Sequence, residues 1–207
     1  MTLFNIGVGL ASILLSFSGE YNKAAGLIIV SVVVDSFDGY VARKLGTTSK
    51  LGSYLDTISD FLSFGVAASV LMSMVYDLNP LVTVIYVVAS AKRLHHFMKT
   101  KTPGFFFGVP TTVSGGFLAT IVLVRPEIST PEELTIVMSW VVFSLSLLML
   151  TRQKYYRIEF RKRRTITLLM GSFLSIFALN SDFAIRILLF LMLSYIAFGW
   201  FKIREPK

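Results

Sequence analysis

The sequence predicts an all-α, polytopic membrane bundle of about eight transmembrane helices. Three observations lead there. The chain is 54% apolar with a mean hydropathy of +0.70, a composition outside the range of ordinary soluble domains. Its apolar residues fall into long runs separated by turn residues such as Ser18-Gly19, Asn79-Pro80, Pro103-Gly104 and Arg125-Pro126. Its basic residues collect in alternate gaps between those runs, which is a topology signal.

Taken in order, the spans are 3–18, 23–44, 52–76, 80–98, 109–124, 133–151, 165–180 and 183–202. A membrane-crossing helix needs about 20 residues, so the first, fifth and seventh are short. The first has no Lys or Arg before its apolar run and no small-residue cleavage site, so it is expected to be retained rather than removed as a signal peptide. Arg43, Lys44 and Lys50 follow the second span. Lys92, Arg93, Lys99 and Lys101 lie in or near the gap after the fourth. The run 152–164 follows the sixth, and Lys202, Arg204 and Lys207 lie at the end. Only Lys23, Arg125 and Arg186 fall toward the other side. The positive side faces the cytoplasm, so eight spans put both termini inside, in the cell membrane.

Composition also excludes. At 207 residues a membrane unit leaves no room for a sizeable second domain, so one domain, 1–207, is expected. The net charge of +8 does not indicate nucleic acid, because the basic residues sit between apolar runs rather than among aromatics on a soluble surface. There is no cysteine, hence no disulfide, no zinc–thiolate site and no thiol chemistry.

The stretch that carries chemistry is 35–60. Asp35, Asp38, Asp56 and Asp60 lie beside or inside apolar runs, where an ionisable group is expensive and points to function. Asp35 and Asp38 are three apart and share a helix face. Asp56 and Asp60, four apart, share a face of the next helix. Packed antiparallel, the two faces form one cleft of carboxylates. Hard oxygen ligands suit magnesium, manganese or calcium. Two metals about 3.5–4 Å apart suit in-line displacement at phosphorus. Gly39 and Ala42 remove bulk beside the carboxylates, and Arg43 offers a planar fork for phosphate oxygens. A divalent-cation transporter is the competing class. Arg43 argues against it, because a fixed cation repels such cargo.

The pattern Asp35, Asp38, Gly39, Ala42, Arg43, Gly52, Asp56, Asp60 resembles the signature of the CDP-alcohol phosphotransferase family, membrane enzymes of phospholipid synthesis. The resemblance implies a six-helix catalytic core, with the last two spans at its edge, and a homodimer. It implies two divalent cations, Mg2+ or Mn2+, and a reaction in which a CDP-linked lipid such as CDP-diacylglycerol gives its phosphatidyl group to an alcohol and releases CMP. By that resemblance Asp35, Asp38 and Asp56 are metal ligands, and Asp60 is a second-metal ligand and general base. It also implies that Asn5 lies by the nucleotide and that Ser49 contacts the CDP group. Gly39, Arg43 and Gly52 complete the CDP-lipid side.

Beyond the signature, Thr47, Thr48 and Ser49 can cap the third span. Arg93 and His96 are three apart at the end of the fourth span and can meet an acidic acceptor, with Lys92 beside them. The stretch 103–116 is rich in Gly, Pro and Thr, as befits backbone lining a cavity. With Ser63, Phe64, Gly65, Val66 and Ala67 it resembles the phosphatidylserine synthase branch, which makes L-serine the expected acceptor. His96, Met98, Ala68 and Thr112 depart from that branch, leaving glycerol 3-phosphate or inositol phosphate as alternatives. The small residues Ser63, Gly65, Ala67, Ala68 and Ser69 permit close helix contact and could serve a dimer. The run 152–164 reads as a solvated loop on anionic lipid.

Overall fold

A computed structural model describes residues 2–45, 50–99, 105–124, 132–151, 153–156 and 182–198, with side chains for 2–35, 51–99, 107–124, 132–151, 153 and 185–197. Among the described residues there are eight α-helical segments: α1 (Thr2–Phe17), α2 (Tyr21–Leu45), α3 (Lys50–Asp60), α4 (Ala67–Tyr76), α5 (Pro80–Lys99), α6 (Thr111–Val124), α7 (Glu132–Leu150) and α8 (Asp182–Phe198). A π-helical turn, Phe61–Val66, joins α3 to α4, so these two form one continuous helix. Seven of the eight predicted spans coincide with helices. The seventh, 165–180, lies outside the described residues. Two helices, Leu51–Tyr76 and Glu132–Leu150, are long and apolar enough to cross a membrane, while α1, α6 and much of α8 are apolar but shorter.

Local signals account for the helix ends. Asn79 accepts the Leu81 amide at 2.9 Å through Oδ1 and Pro80 follows as the first helical residue, a preorganised start for α5. Asp77 ends α4 in the left-handed region, φ 48°, its amide donating to Ser73 O. Gly19 turns α1 into α2 at φ 78°.

The packing distributes polarity in the sense expected of a membrane bundle. Leu14 (68% exposed), Trp140 (63%) and Phe190 (69%) face outward, whereas Ser12, Ser63 and Ser114 are fully buried. In a lipid surround this is the sensible arrangement, since polar side chains serve helix contacts inside the bundle. Many of the hydroxyls satisfy themselves locally: Ser16 donates to Ser12 O at 2.9 Å, Thr120 to Gly116 O at 2.7 Å and Ser146 to Val142 O at 2.8 Å. Others tie helices together, as Ser12 does to Ala24 O at 2.9 Å.

The centre of the bundle is the π turn. A side-chain carbon at Gly9 of α1 would meet Ser63 Oγ at 2.6 Å, one at Gly65 would meet Ser90 Oγ of α5 at 2.5 Å, and one at Gly115 of α6 would meet Phe64 Cα at 2.8 Å. Three helices thus approach the same six residues through positions without bulk. Ser63, Gly65, Ala67, Ala68 and Ser69 are all buried inside the monomer. This corrects the expectation that they could serve a dimer: their surface is already used by α1, α5 and α6.

A second departure from the sequence reading is a small antiparallel ribbon, β1 (Phe105–Phe107) against β2 (Lys154–Tyr156). Among the described residues the fold is therefore helical apart from one ribbon. Part of the run expected to be a solvated loop is paired backbone, and the irregular stretch 103–116 contains a strand and the first turns of α6. Gly108 follows β1 at φ 70°, where a side chain would strike Met149 O, and its amide donates to Gln153 O at 2.9 Å. The ribbon fastens the chain that leaves α5 to the end of α7.

Candidate active site

α2 brings Asp35 to the level of the first turn of α1, and α3 starts back from the same side. Asn5, buried on α1, donates to Ser31 O of α2 at 3.5 Å, and its own carbonyl accepts from Ser63 Oγ at 3.1 Å. α1, α2 and the π turn are thereby pinned at one level, one turn from Asp35 and three residues from Asp60. Asp60 is the last residue before the π turn. Such a turn shifts the helical register, and turns of this kind are frequent at functional sites.

Asp60 gathers the site. Its carboxyl lies against that of Asp35, and Asp56 and Arg93 lie within electrostatic reach. Two carboxyls in contact need either a shared proton or a cation between them. Asp60 Oδ1 is shielded from solvent and has no hydrogen-bond partner. An orphaned carboxylate oxygen costs stability unless something binds it. Hard oxygen donors of this kind fit a divalent metal. Among the described residues no three acidic or histidine side chains close into a ready-made ligand set. The side chain of Asp38 lies outside the described ones.

Arg93 reaches the site from α5. It is buried, at 8% exposure, donates from Nη1 to Thr111 Oγ1 of α6 at 3.1 Å, and sits 5.7 Å from the centre of the Phe97 ring. It does not snorkel to the surface, as the ends of basic side chains usually do. Lys92 and His96 are exposed. His96 packs edge-on to Phe107, ring centres 6.1 Å apart, which places it against the ribbon while Arg93 turns inward. The two residues share a helix flank without sharing an environment. Gly52 is half-buried near the start of α3. Gly39 and Arg43 belong to α2, but their side-chain surroundings are not described, and Ser49 lies outside the described residues together with Thr47 and Thr48.

Three features escaped the sequence reading. Tyr195, on α8, lies within electrostatic reach of the Arg93 guanidinium. Its only signal was a hydroxyl within an apolar run. The Tyr86 hydroxyl is 3.2 Å from Phe64 O and 3.1 Å from Ser114 Oγ, a polar contact inside an apolar span. Finally, the hydroxyls of Ser31 and Ser59 and the amide oxygen of Asn5 are buried without hydrogen-bond partners, giving the neighbourhood of Asp35 and Asp60 an unusual density of unsatisfied polar atoms.

The chain is similar to several known proteins. The chain is 42% identical over 113 residues to the CDP-diacylglycerol–serine O-phosphatidyltransferase of Methanocaldococcus jannaschii, covering 53% of this chain and 52% of that protein. It is 32% identical over 168 residues to the archaetidylserine synthase of Methanothermobacter thermautotrophicus, covering 77% and 69%. Over 164 residues it is 30% identical to the CDP-diacylglycerol–serine O-phosphatidyltransferase of Helicobacter pylori, covering 74% and 69%. The matches thus span about half of the first relative's length and somewhat over two thirds of the other two. The family model described as CDP-alcohol phosphatidyltransferase matches residues 1–201, and the chain belongs to that family.

Proposed function

We propose that the chain transfers a phosphatidyl-type group from a CDP-linked lipid to L-serine and releases CMP. The observation that carries this reading is the meeting of Asp60 with Asp35, Asp56 and the buried Arg93: carboxylates suited to metal and proton transfer stand beside one cation suited to an acidic acceptor. The names of the relatives support serine as the acceptor and leave the lipid open between diacylglycerol and archaeal ether tails.

Asp60 takes the proton of the acceptor hydroxyl. The oxygen then attacks the phosphorus that carries the lipid. A new P–O bond forms, the bond to the CMP phosphate breaks, and CMP leaves with its electron pair. Asp35, Asp38, Asp56 and Asp60 would hold two divalent cations, Mg2+ or Mn2+, which supply charge neutralisation on the diphosphate and the departing CMP. Gly39 and Gly52 let the nucleotide approach the backbone, and Arg43, Ser49 and Asn5 line its side. Arg93 pairs with the serine carboxylate as a planar fork. Among the basic residues of α5, Arg93 is buried while Lys92 and Lys99 are exposed. One inward cation suits a carboxylate better than a phosphate, which usually draws several. This favours serine over glycerol 3-phosphate or inositol phosphate.

In the membrane we read eight spans with both termini in the cytoplasm, as a homodimer whose contact lies elsewhere than Ser63–Ser69. The aspartates then open inward, where serine enters and CMP leaves. The test is purified protein with CDP-diacylglycerol against a panel of serine, glycerol 3-phosphate and inositol phosphate. Serine-dependent release of CMP with formation of phosphatidylserine is expected; preference for a phosphorylated acceptor overturns the serine assignment.

A further inference from the structure

The last helix carries a hydroxyl to the acceptor side of the site. α8 packs along α6: Thr120 Oγ1 lies 3.8 Å from Met192 Sδ, and a side-chain carbon at Gly116 would meet Met192 Cε at 2.9 Å. Tyr195 is three residues past Met192 and shares its face of α8. Gly116 lies in the first half of α6, the helix that begins with Thr111, and Thr111 holds Arg93 at 3.1 Å. Tyr195 accordingly comes within electrostatic reach of the guanidinium. Thr111 and Phe97 already fix that group from α6 and from its own helix. Asp60 lies within electrostatic reach of the same guanidinium.

We propose that Tyr195 is a specificity-determining residue of the acceptor pocket, its hydroxyl and the Arg93 guanidinium together holding the anionic group of an acidic alcohol whose own hydroxyl faces Asp60. A phenol both accepts and donates. It can accept from the guanidinium and donate to an anionic oxygen, adding a neutral donor to the charged one. The helix expected at the edge of the catalytic core thereby becomes part of the site. The inference rests on the transfer reaction proposed above and extends it to a residue that the signature does not contain.

The experiment uses the purified full chain and Tyr195→Phe, which keeps the ring and removes the hydroxyl. Steady-state rates are measured with CDP-diacylglycerol and with serine, glycerol 3-phosphate and the neutral alcohol glycerol as acceptors. Acceptor binding is read separately, as the concentration that raises the unfolding temperature. For whichever acidic acceptor the wild type uses, Tyr195→Phe should raise KM about 10-fold or more, raise the concentration needed for the thermal shift in parallel, and leave KM for CDP-diacylglycerol within twofold. Tyr195→His, with a ring that still hydrogen-bonds, should recover part of the loss and serves if the Phe variant is unstable. An unchanged acceptor KM, or equal rises for acceptor and CDP-lipid, overturns the role of Tyr195. A wild type that transfers only to glycerol and shows no shift with either acid overturns it too, while leaving the transfer chemistry standing. Weakened acid binding in Tyr195→Phe without any CMP release in the wild type supports the pocket and refutes the reaction.

Discussion

The Tyr86 hydroxyl donates to the main-chain carbonyl of Phe64 at 3.2 Å, in the middle of the π turn that follows Asp60. A phenol has one proton, so Ser114 Oγ, 3.1 Å away, completes the contact as donor. The turn interrupts the regular helical pattern, and a carbonyl that is buried there needs a partner. Tyr86→Phe removes it without removing volume. The expected result is a loss of about 1–3 kcal/mol in stability, the cost of leaving a buried acceptor unsatisfied. Unfolding in detergent checks it; a stability equal to wild type means that the turn does not depend on Tyr86.

The close approach of α6 to the same turn makes a sharper contrast. A methyl at Gly115 would lie 2.7–2.9 Å from Phe64 Cβ, Cα and O, which are held by the helix and cannot swing away, whereas one at Gly7 meets nothing within 4 Å. Gly115→Ala should therefore reduce folded yield or stability by about 1–3 kcal/mol through overpacking. Gly7→Ala should be neutral or stabilising by up to about 1 kcal/mol, the helix-propensity gain. Equal behaviour of the two variants would contradict the packing described here.

Asp60→Asn keeps the shape of the side chain and removes its basicity. Transfer should fall about 100- to 10,000-fold, the usual worth of a general base, while much of the CDP-lipid binding remains. Asp35→Asn should weaken nucleotide binding and metal dependence together. Near-normal turnover in Asp60→Asn refutes the base assignment.

Topology is testable because the chain has no cysteine. A single cysteine introduced at Glu20, in the exposed turn between α1 and α2, should react with a membrane-impermeant maleimide on intact cells. One introduced at Lys99, exposed at the end of α5, should react only after the membrane is opened. Labelling of both from the same side contradicts the orientation.

Much of the helical layout was legible because its signals are local. The reading 80–98 against Pro80–Lys99 follows from Asn79-Pro80 at one end and a basic tail at the other. The spacing of Asp56 and Asp60 put both on one face of α3, since residues four apart share a face whatever surrounds them. The ribbon was hidden because Phe105–Phe107 is an apolar scrap whose partner, Lys154–Tyr156, sits inside a basic run; pairing over that distance leaves no periodic trace. The π turn was hidden because Phe61–Val66 reads as ordinary helix, and its small residues suggested a dimer when they in fact admit α1, α5 and α6. Arg93 and His96 looked alike at a spacing of three. Burial separated them: Thr111 draws one inward, and Phe107 holds the other at the ribbon. Tyr195 could be placed only once α8 was seen against α6.

The central claim is that Asp60, with Asp35 and Asp56 beside it, carries metal-dependent transfer from a CDP-lipid. The most direct measurement is release of CMP from CDP-diacylglycerol by the purified protein, with and without serine, with Mg2+ or Mn2+ or with a chelator, in the wild type and in Asp60→Asn. The account predicts CMP release that needs both serine and a divalent cation, yields phosphatidylserine in equal amount, and falls at least about 100-fold in Asp60→Asn. Release that persists in the chelator, or that is unchanged in Asp60→Asn, would contradict it.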